Sequence, residues 1–174
     1  LLIYRTAVTI SDLTAIFCQR YINPKSRTYD QMIQASRSGK QNLSEGSKEL
    51  SSGGEILLSS TSRSSYTELI EDFEDHLRQH NLPVWEKNDP RVLKIRAIRE
   101  NVEIPTNLAN LANLTNLDFN SAENFANLMV CLCYKQGYLM DQFLRAKQKK
   151  FVEEGGFKEN LYKQRQQYKY KNQP

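Results

Sequence analysis

The sequence predicts an all-α protein, an antiparallel up-down four-helix bundle with one insertion and a basic tail. Four long segments repeat apolar residues with the 3.6-residue period of a helix. Only 39% of the 174 residues are hydrophobic and the mean hydropathy is -0.65, which suits a narrow core inside a polar shell. We therefore expect one bundle domain over residues 1–156 and a separate tail over residues 157–174.

The first helix is predicted over residues 3–22. Ile3, Ala7, Ile10 and Phe17 follow the helical period and form one apolar stripe. Asn23-Pro24 ends the segment, because a residue that precedes proline avoids the helical region.

The second helix is predicted over residues 27–50, with Ser26 or Thr28 as its cap. Its inner face mixes large aliphatic residues with small ones, so a neighbouring helix backbone could approach closely. Gly39 interrupts the run, and we expect a kink there because glycine inside a helix costs about 1 kcal/mol relative to alanine.

The third helix is predicted over residues 55–80, after a break at Ser51-Ser52-Gly53-Gly54. Its first half is rich in serine, which is a mediocre helix former, so packing must hold it. Its small residues match those of the second helix, and we expect the two helices to be close neighbours. Its second half is acidic.

An insertion is predicted over residues 83–119. Asp89-Pro90 is a strong helix start, and we expect a short basic helix over residues 90–101. Four Asn-Leu units at a period of three follow, beginning at Asn107. A period of three drifts around an α-helix by about 60° per unit. This predicts a loop or an irregular helical turn on the bundle surface.

The fourth helix is predicted over residues 121–150, with Ser121 at its start and an apolar stripe from Phe125 to Phe143. Gly155-Gly156 ends the bundle domain. The tail over residues 157–174 interleaves lysines and arginine with tyrosines.

Candidate chemical sites are few. His76 and His80 are spaced i, i+4, but Leu77 stands where a zinc protease helix carries its glutamate base, so we expect ordinary surface or interface histidines. Three cysteines cannot form a disulfide framework and predict free thiols in a reducing compartment, mostly buried. No secretory signal is visible, and we expect a cytoplasmic protein. We predict no catalytic residue, no metal and no cofactor.

The basic residues are the better candidates for a binding site. On the second helix they are Arg37, Lys40 and Lys48, of which the first and last fall about 20° apart on an ideal helix. In the tail they are Lys163, Arg165 and Lys169, beside tyrosines that could stack on single-stranded bases. The alternatives are a solvated helix face and a plain disordered tail.

The stretch QMIQASRSGKQNLSEG (residues 31–46) resembles the second helix of the 23S rRNA-intervening-sequence four-helix-bundle proteins, whose pattern is roughly QxxRAxxSxxxNIxEG. The segment LSSTSRSSYTEL (residues 58–69) is similar to the family's AxGSxxEL. The insertion and the end FVEEGGFKEN (residues 151–160) resemble a bacterial branch called the four helix bundle suffix domain. The family's Arg, Ile and Gly are replaced here by Gln34, Leu43 and Ser64.

The resemblance implies structural roles for the matching motif residues, Ser38, Asn42, Glu45, Gly46 and Glu68. Asn42 and Glu45 could satisfy the expected kink or form hydrogen bonds across an oligomer interface. Relatives include the accessory variability protein of diversity-generating retroelements, a barrel-like pentamer that binds nucleic acid and a reverse transcriptase. The resemblance therefore implies a homo-oligomer, such as a pentamer, without catalysis.

Two functions from different classes are consistent with these features. The first is a nucleic-acid-binding accessory factor that contacts RNA or DNA. The alternative is a protein-interaction scaffold for a partner enzyme, with no role for nucleic acid. Neither requires a membrane.

Overall fold

The computed structural model describes residues 2–98 and 107–171 of the chain. Across those two ranges the regular structure is helical and contains no β-strand, so the prediction of an all-α protein is confirmed. The helices are α1 (Leu2–Tyr21), α2 (Arg27–Gly46), α3 (Ser52–Gln79), α4 (Pro90–Arg96), α5 (Leu108–Thr115), α6 (Ala122–Glu154) and α7 (Phe157–Lys171).

The four longest helices share one core. Helix α1 contacts α2 and α6, and α3 also contacts α2 and α6. Three phenylalanines from three helices meet at the centre: the ring of Phe17 lies 5.0 Å from that of Phe73 and 5.3 Å from that of Phe125, both nearly edge to face. Such pairs add about 0.5–1.5 kcal/mol beyond the burial of their area. The apolar stripe predicted for the first helix lies in this core.

The contact between α2 and α3 uses small residues, as the sequence predicts. Ser62 Oγ donates a hydrogen bond of 2.6 Å to the Gly39 carbonyl oxygen, and Gly46 lies against Leu58 and Ser59. Helix α2 runs through Gly39 without interruption. The glycine leaves room for the ring of Tyr66, which packs directly on the α2 backbone.

The boundary between α2 and α3 also differs from the prediction. Helix α2 ends at Gly46, where Ser47 Oγ bonds to the Ser44 carbonyl and the backbone tightens into i to i+3 bonds. Leu50, the last residue of the predicted second helix, lies outside α2 and is 80% exposed. Helix α3 begins at Ser52 instead of residue 55, because Ser51 Oγ accepts the Gly54 amide and caps the helix.

Ion pairs between α3 and α6 show that the two helices run in opposite directions. Lys147 Nζ lies 2.7 Å from Glu55 Oε1 near the start of α3, and Arg63 Nε lies 3.0 Å from Asp141 Oδ1 about two turns later in α3. The residue numbers rise along α3 while those of the partners fall along α6. The Arg63 guanidinium lies over Gly137, where an added Cβ would be 3.4 Å from its central carbon. The contact between α3 and α6 therefore includes ion pairs beside the shared apolar core.

A polar cluster attaches the start of the insertion to α6. Trp85 Nε1 donates to Glu123 Oε1 at 2.8 Å, and the Arg91 guanidinium lies 4.0 Å from the centre of the Trp85 ring. Asp89 caps α4 as predicted and also binds Arg91 at 2.7 Å. Asn127 accepts the Trp85 amide and donates to the Pro83 carbonyl. Segment 83–92 is thereby fixed to the N-terminal half of α6.

The insertion contains two short helices. Helix α4 ends at Arg96, where the Ile98 amide bonds to the Ile95 carbonyl in a tight i to i+3 turn. Its predicted extension to residue 101 falls partly on residues 99–101, which lie outside the described residues. The Asn-Leu repeat forms a regular helix, α5, so the prediction of a loop or irregular turn is wrong.

Buried residues at helical spacing and asparagine caps explain α5. Leu111 and Thr115 are buried one turn apart, and Thr115 Oγ1 donates to the Leu111 carbonyl. Asn107 caps the start, and Asn116 ends the helix in a left-handed conformation with φ 54°.

The C-terminal region is more helical than predicted. Helix α6 continues to Glu154 instead of residue 150 and ends at Gly155, which takes a positive φ of 77°. The tail is helical over Phe157–Lys171, which contradicts the alternative of a plain disordered tail for these residues.

Candidate nucleic-acid interface on the C-terminal helix

Helix α7 begins with a cap supplied by the side chain of its third residue. The Gly156 amide donates to Glu159 Oε2 at 2.8 Å, and the Asn160 amide bonds to the Gly156 carbonyl at 3.0 Å. A glutamate at the third helical position thus satisfies the amide at the helix start, as in a capping box. The cap explains how a segment that buries none of its side chains can begin a helix.

The charge of the chain is concentrated on α7. Residues 157–171 contain five basic residues and one acidic residue, a net charge of +4, which equals the formal net charge of the whole chain. Lys163, Arg165 and Lys169 are all exposed. Within residues 2–98 and 107–171, no basic side chain of α7 has a carboxylate oxygen within 4.0 Å. By contrast, Lys149 and Lys150 of α6 each lie 3.8 Å from a glutamate one turn away.

Three of these cations share one face of α7. At about 100° per residue, Arg165 and Lys169 fall about 20° to either side of Lys158. Tyr162, 64% exposed, falls about 40° from Lys158 on the same side as Lys169. Lys163 lies about 140° away and does not belong to this face. The face formed by Lys158, Tyr162, Arg165 and Lys169, here called the cationic face, combines phosphate-binding groups with a stacking surface.

The basic residues predicted on the second helix do not all lie on α2. Arg37 is exposed and Lys40 is half-buried within α2. Lys48 lies beyond the end of α2 at Gly46, in the turn that precedes α3. The 20° phase between Arg37 and Lys48 requires a continuous helix, and this prediction is wrong because α2 ends two residues too early.

The family motif residues make contacts that fit a structural role. Asn42 Nδ2 donates to Ser38 Oγ at 3.1 Å, and Gln41 Nε2 donates to Glu45 Oε1 at 2.8 Å. Both bonds lie within α2. Gly46 contacts α3, whereas Glu68 is exposed on the outer side of α3.

Of the two histidines, expected to be ordinary surface or interface residues, His80 is exposed and His76 is buried in the core. His76 is 6% exposed, and its ring lies 5.0 Å from that of Phe17 and 4.1 Å from that of His80. Burial, with a contribution from His80, lowers the pKa of His76 to about 4. One turn earlier, burial raises the pKa of Asp72 to about 6, helped by the neighbouring carboxylates Glu68, Asp75 and Glu71.

The cysteines are free, as predicted. Cys18 and Cys133 are buried, and Cys131 is half-buried. Burial raises the pKa of the Cys18 thiol to about 12 and that of Cys131 to about 11, so both stay protonated at neutral pH. In the described ranges, no group of three or more His, Cys, Asp or Glu side chains is placed to hold a metal ion.

A second surface feature goes beyond what the sequence predicts. A groove of about 1130 Å³ lies between α3, segment 84–98 and α6. Trp85, Val92 and Val130 form its buried floor, and Tyr134 and Tyr138 stand beside it, 58% and 63% exposed. The tyrosines are spaced i, i+4 on the outer side of the α6 stripe. The i, i+4 spacing of the two tyrosines is visible in the sequence and places both on one side of α6. It does not reveal that segment 84–98 folds back to face them.

The described helices include none that is both long enough and apolar enough to cross a membrane. No protein-family model, no curated protein and no solved structure matches this chain.

Proposed function

We propose that this chain is a non-enzymatic, homo-oligomeric accessory protein of the cytoplasm that binds single-stranded nucleic acid through the cationic face of α7. The proposed architecture is an antiparallel four-helix bundle of α1, α2, α3 and α6, related to the 23S rRNA-intervening-sequence proteins, with residues 83–119 as an insertion. The opposed ion pairs between α3 and α6 and the close contact between α2 and α3 support it.

The observation that carries the proposal is the set of unpaired cations on α7. A cation paired with a carboxylate has already lost part of its attraction for phosphate, whereas Lys158, Arg165 and Lys169 have no such partner within the described residues. Tyr162 beside them offers a ring for base stacking, which is worth about 1–3 kcal/mol per base. Because stacking is tolerant of base identity, the proposed binding is weakly sequence-dependent.

A basic helix can also bind an anionic membrane surface, but α7 fits that role less well. Interfacial helices need a broad apolar face rich in large side chains. The aliphatic and phenyl content of α7 is limited to Phe157 and Leu161. The remaining apolar surface is supplied by tyrosines, which suit bases better than acyl chains.

Titration of a fluorescein-labelled oligouridylate with the full chain tests the proposal by anisotropy. A single strand releases about 0.7 counterions per neutralised phosphate, so three contacts predict a slope of log affinity against log salt of about -2. We expect Lys158→Gln/Arg165→Gln/Lys169→Gln to lower affinity at least tenfold and to flatten the slope. The control Lys149→Gln/Lys150→Gln/Lys163→Gln removes the same charge away from the face and should bind like the unchanged protein.

Equal loss in both triple variants would reduce the interaction to non-specific charge attraction. No binding at low salt would overturn the proposal. Binding to anionic vesicles in preference to the oligonucleotide would assign α7 to a membrane surface. Light scattering tests the homo-oligomer separately, since a monomeric mass would contradict that part alone.

A second candidate function is a scaffold that binds a partner protein. The observation that favours it is the apolar groove between α3, segment 84–98 and α6, which is remote in sequence from the cationic face.

A further inference from the structure

We infer that the groove between α3, segment 84–98 and α6 is a docking site for an acidic amphipathic helix of a partner protein. This inference rests on the scaffold function and is independent of nucleic-acid binding by α7. Its occupant is identified by the size of the groove, by the secondary structure of its walls and by the charge of its rim.

The size of the groove matches a short stretch of helix. A helix with side chains is about 10–12 Å across and rises 5.4 Å per turn, so one turn occupies roughly 400–600 Å³. The groove volume of about 1130 Å³ therefore holds about two turns. The α6 wall from Val130 to Tyr138 covers nine residues, and its eight steps rise about 12 Å, which is also about two turns. Small-molecule pockets are generally smaller, about 300–1,000 Å³.

The walls of the groove favour a helix over an extended peptide. An extended peptide binds by adding a strand to an exposed sheet edge, where main-chain hydrogen bonds supply the affinity. Here the long wall is helix α6, whose backbone groups are already bonded within the helix, and α3 contributes Glu74 to the lining. The floor offers aliphatic and aromatic surface from Trp85, Val92 and Val130, which suits apolar anchors at positions i, i+3 or i+4 and i+7.

The rim of the groove selects an acidic ligand. Lys87 and Arg96 are exposed at one edge, and within the described residues neither has a carboxylate oxygen within 4.0 Å. Lys135 also lines the groove and donates to the Ile98 carbonyl at 3.3 Å. Among the described lining residues the carboxylate is that of Glu74, 3.4 Å from the Tyr134 hydroxyl. This part of the rim thus carries three positive charges and one negative charge.

The same charges fit a nucleic acid less well than a helix. A nucleic-acid strand carries phosphates along its whole length, so some of them would meet Glu74 on the α3 wall. A helix can place Asp or Glu only along the edge that faces Lys87 and Arg96, and can present apolar residues elsewhere. Charge complementarity of this kind sets both partner choice and association rate.

Selection from a phage-displayed library of random helical peptides tests the inference with the full chain as bait. The counter-selection uses Tyr134→Glu/Tyr138→Glu, in which both substituted side chains are more than half exposed, so the fold should tolerate the change. We expect selected peptides to show apolar residues at helical spacing flanked by an excess of Asp and Glu. Their affinity should fall at least tenfold for the counter-selection variant and for Lys87→Glu/Arg96→Glu.

The control Tyr4→Glu/Leu57→Glu replaces two exposed apolar residues on α1 and α3, away from the groove, and should bind the peptides normally. No enrichment over the counter-selection variant, or enrichment of basic peptides, would overturn the inference. Binding of oligouridylate that is lost in Tyr134→Glu/Tyr138→Glu but kept in the triple variant of the α7 face would reassign the groove to nucleic acid. The triple variant of the α7 face should keep peptide binding whether or not α7 binds RNA, which separates the two proposals.

Discussion

The ring of Tyr66 occupies the space that a side chain at Gly39 would need. A Cβ added to residue 39 would lie 2.8 Å from Tyr66 Cζ and 3.0 Å from its hydroxyl oxygen. Tyr66 is fully buried, so its ring has no open side to move into. A glycine that looks like a flaw in a helix is therefore the residue that lets α2 and α3 approach each other.

Replacement of this glycine should destabilise the protein although it improves helix propensity. Gly39→Ala gains about 1 kcal/mol of propensity, but overpacking a close contact costs about 1–3 kcal/mol. We expect a net loss of up to about 2 kcal/mol in the free energy of unfolding, measured by urea denaturation. Gly53→Ala is the matched control, since an added Cβ there meets nothing within 4 Å and should be neutral or stabilising. A more stable Gly39→Ala would show that the Tyr66 ring is not held against α2.

Removal of the carboxylate that joins Trp85 to Arg91 should loosen the insertion. In Glu123→Ala the Trp85 indole loses its 2.8 Å acceptor, and a buried donor left without a partner costs about 1–3 kcal/mol. Because Trp85 is the only tryptophan, its fluorescence reports this site directly, and we expect a red-shifted emission together with the loss of stability. Glu86→Ala changes an exposed glutamate beside the same tryptophan and should leave both signals unchanged.

Asp72 and His76 should have opposite effects on stability in acid. The pKa of His76 is lowered from 6.5 to about 4, so below pH 6.5 the unfolded chain binds a proton that the folded chain does not, and stability falls. The pKa of Asp72 is raised from 3.8 to about 6, so between those values the folded chain binds the extra proton, and stability rises as the pH falls. The two effects oppose each other over nearly the same range.

Substitution of either residue should reveal the other effect. Relative to the unchanged protein, Asp72→Asn should lose melting temperature more steeply between about pH 6 and pH 4, and His76→Gln should lose it less steeply. Asp12→Asn, an exposed acid on α1, is the control. Parallel curves for Asp72→Asn and the control would contradict the assignment.

The Glu159 cap should control the helicity of α7 without affecting the core. Isolated helices of fewer than about 12–15 residues are marginal, and a lost cap costs about 1 kcal/mol. Glu159→Ala should therefore lower the helical circular dichroism signal while the unfolding midpoint stays constant, since α7 buries no side chain. Glu153→Ala, which removes an exposed glutamate from the last turns of α6, should change neither. A shifted midpoint would mean that α7 contributes to folding stability.

Sequence periodicity predicts the helices whose buried residues are apolar and recur at helical spacing. The apolar stripe through Ile10 and Phe17 predicts α1 to within one residue at each end. The prediction succeeds because the buried residues of α1 are the apolar residues that repeat at helical spacing. The small residues likewise predict the contact of α2 with α3. Capping is harder to predict: Ser51 looks like part of a break in the sequence, although its side chain starts α3.

The candidate sites depend on relations that a single sequence does not contain. Lys48 is predicted on a face of the second helix, but α2 ends at Gly46. The Ser47 hydroxyl bonds to the Ser44 carbonyl at this end, a local contact that periodicity does not reveal. The burial of His76 depends on Phe17, nearly 60 positions away. The groove requires segment 84–98 to return to α6, which is a tertiary relation that hydropathy does not encode.

The start of α7 at Gly155-Gly156 has a consequence for how this protein can evolve. Because no side chain of α7 is buried, substitutions there should change the free energy of unfolding by no more than about 0.5 kcal/mol. Selection on α7 would then act through what the helix binds and hardly at all through whether the chain folds. A lineage could therefore exchange or retune this helix freely, whereas Gly39 and Tyr66 can change only together.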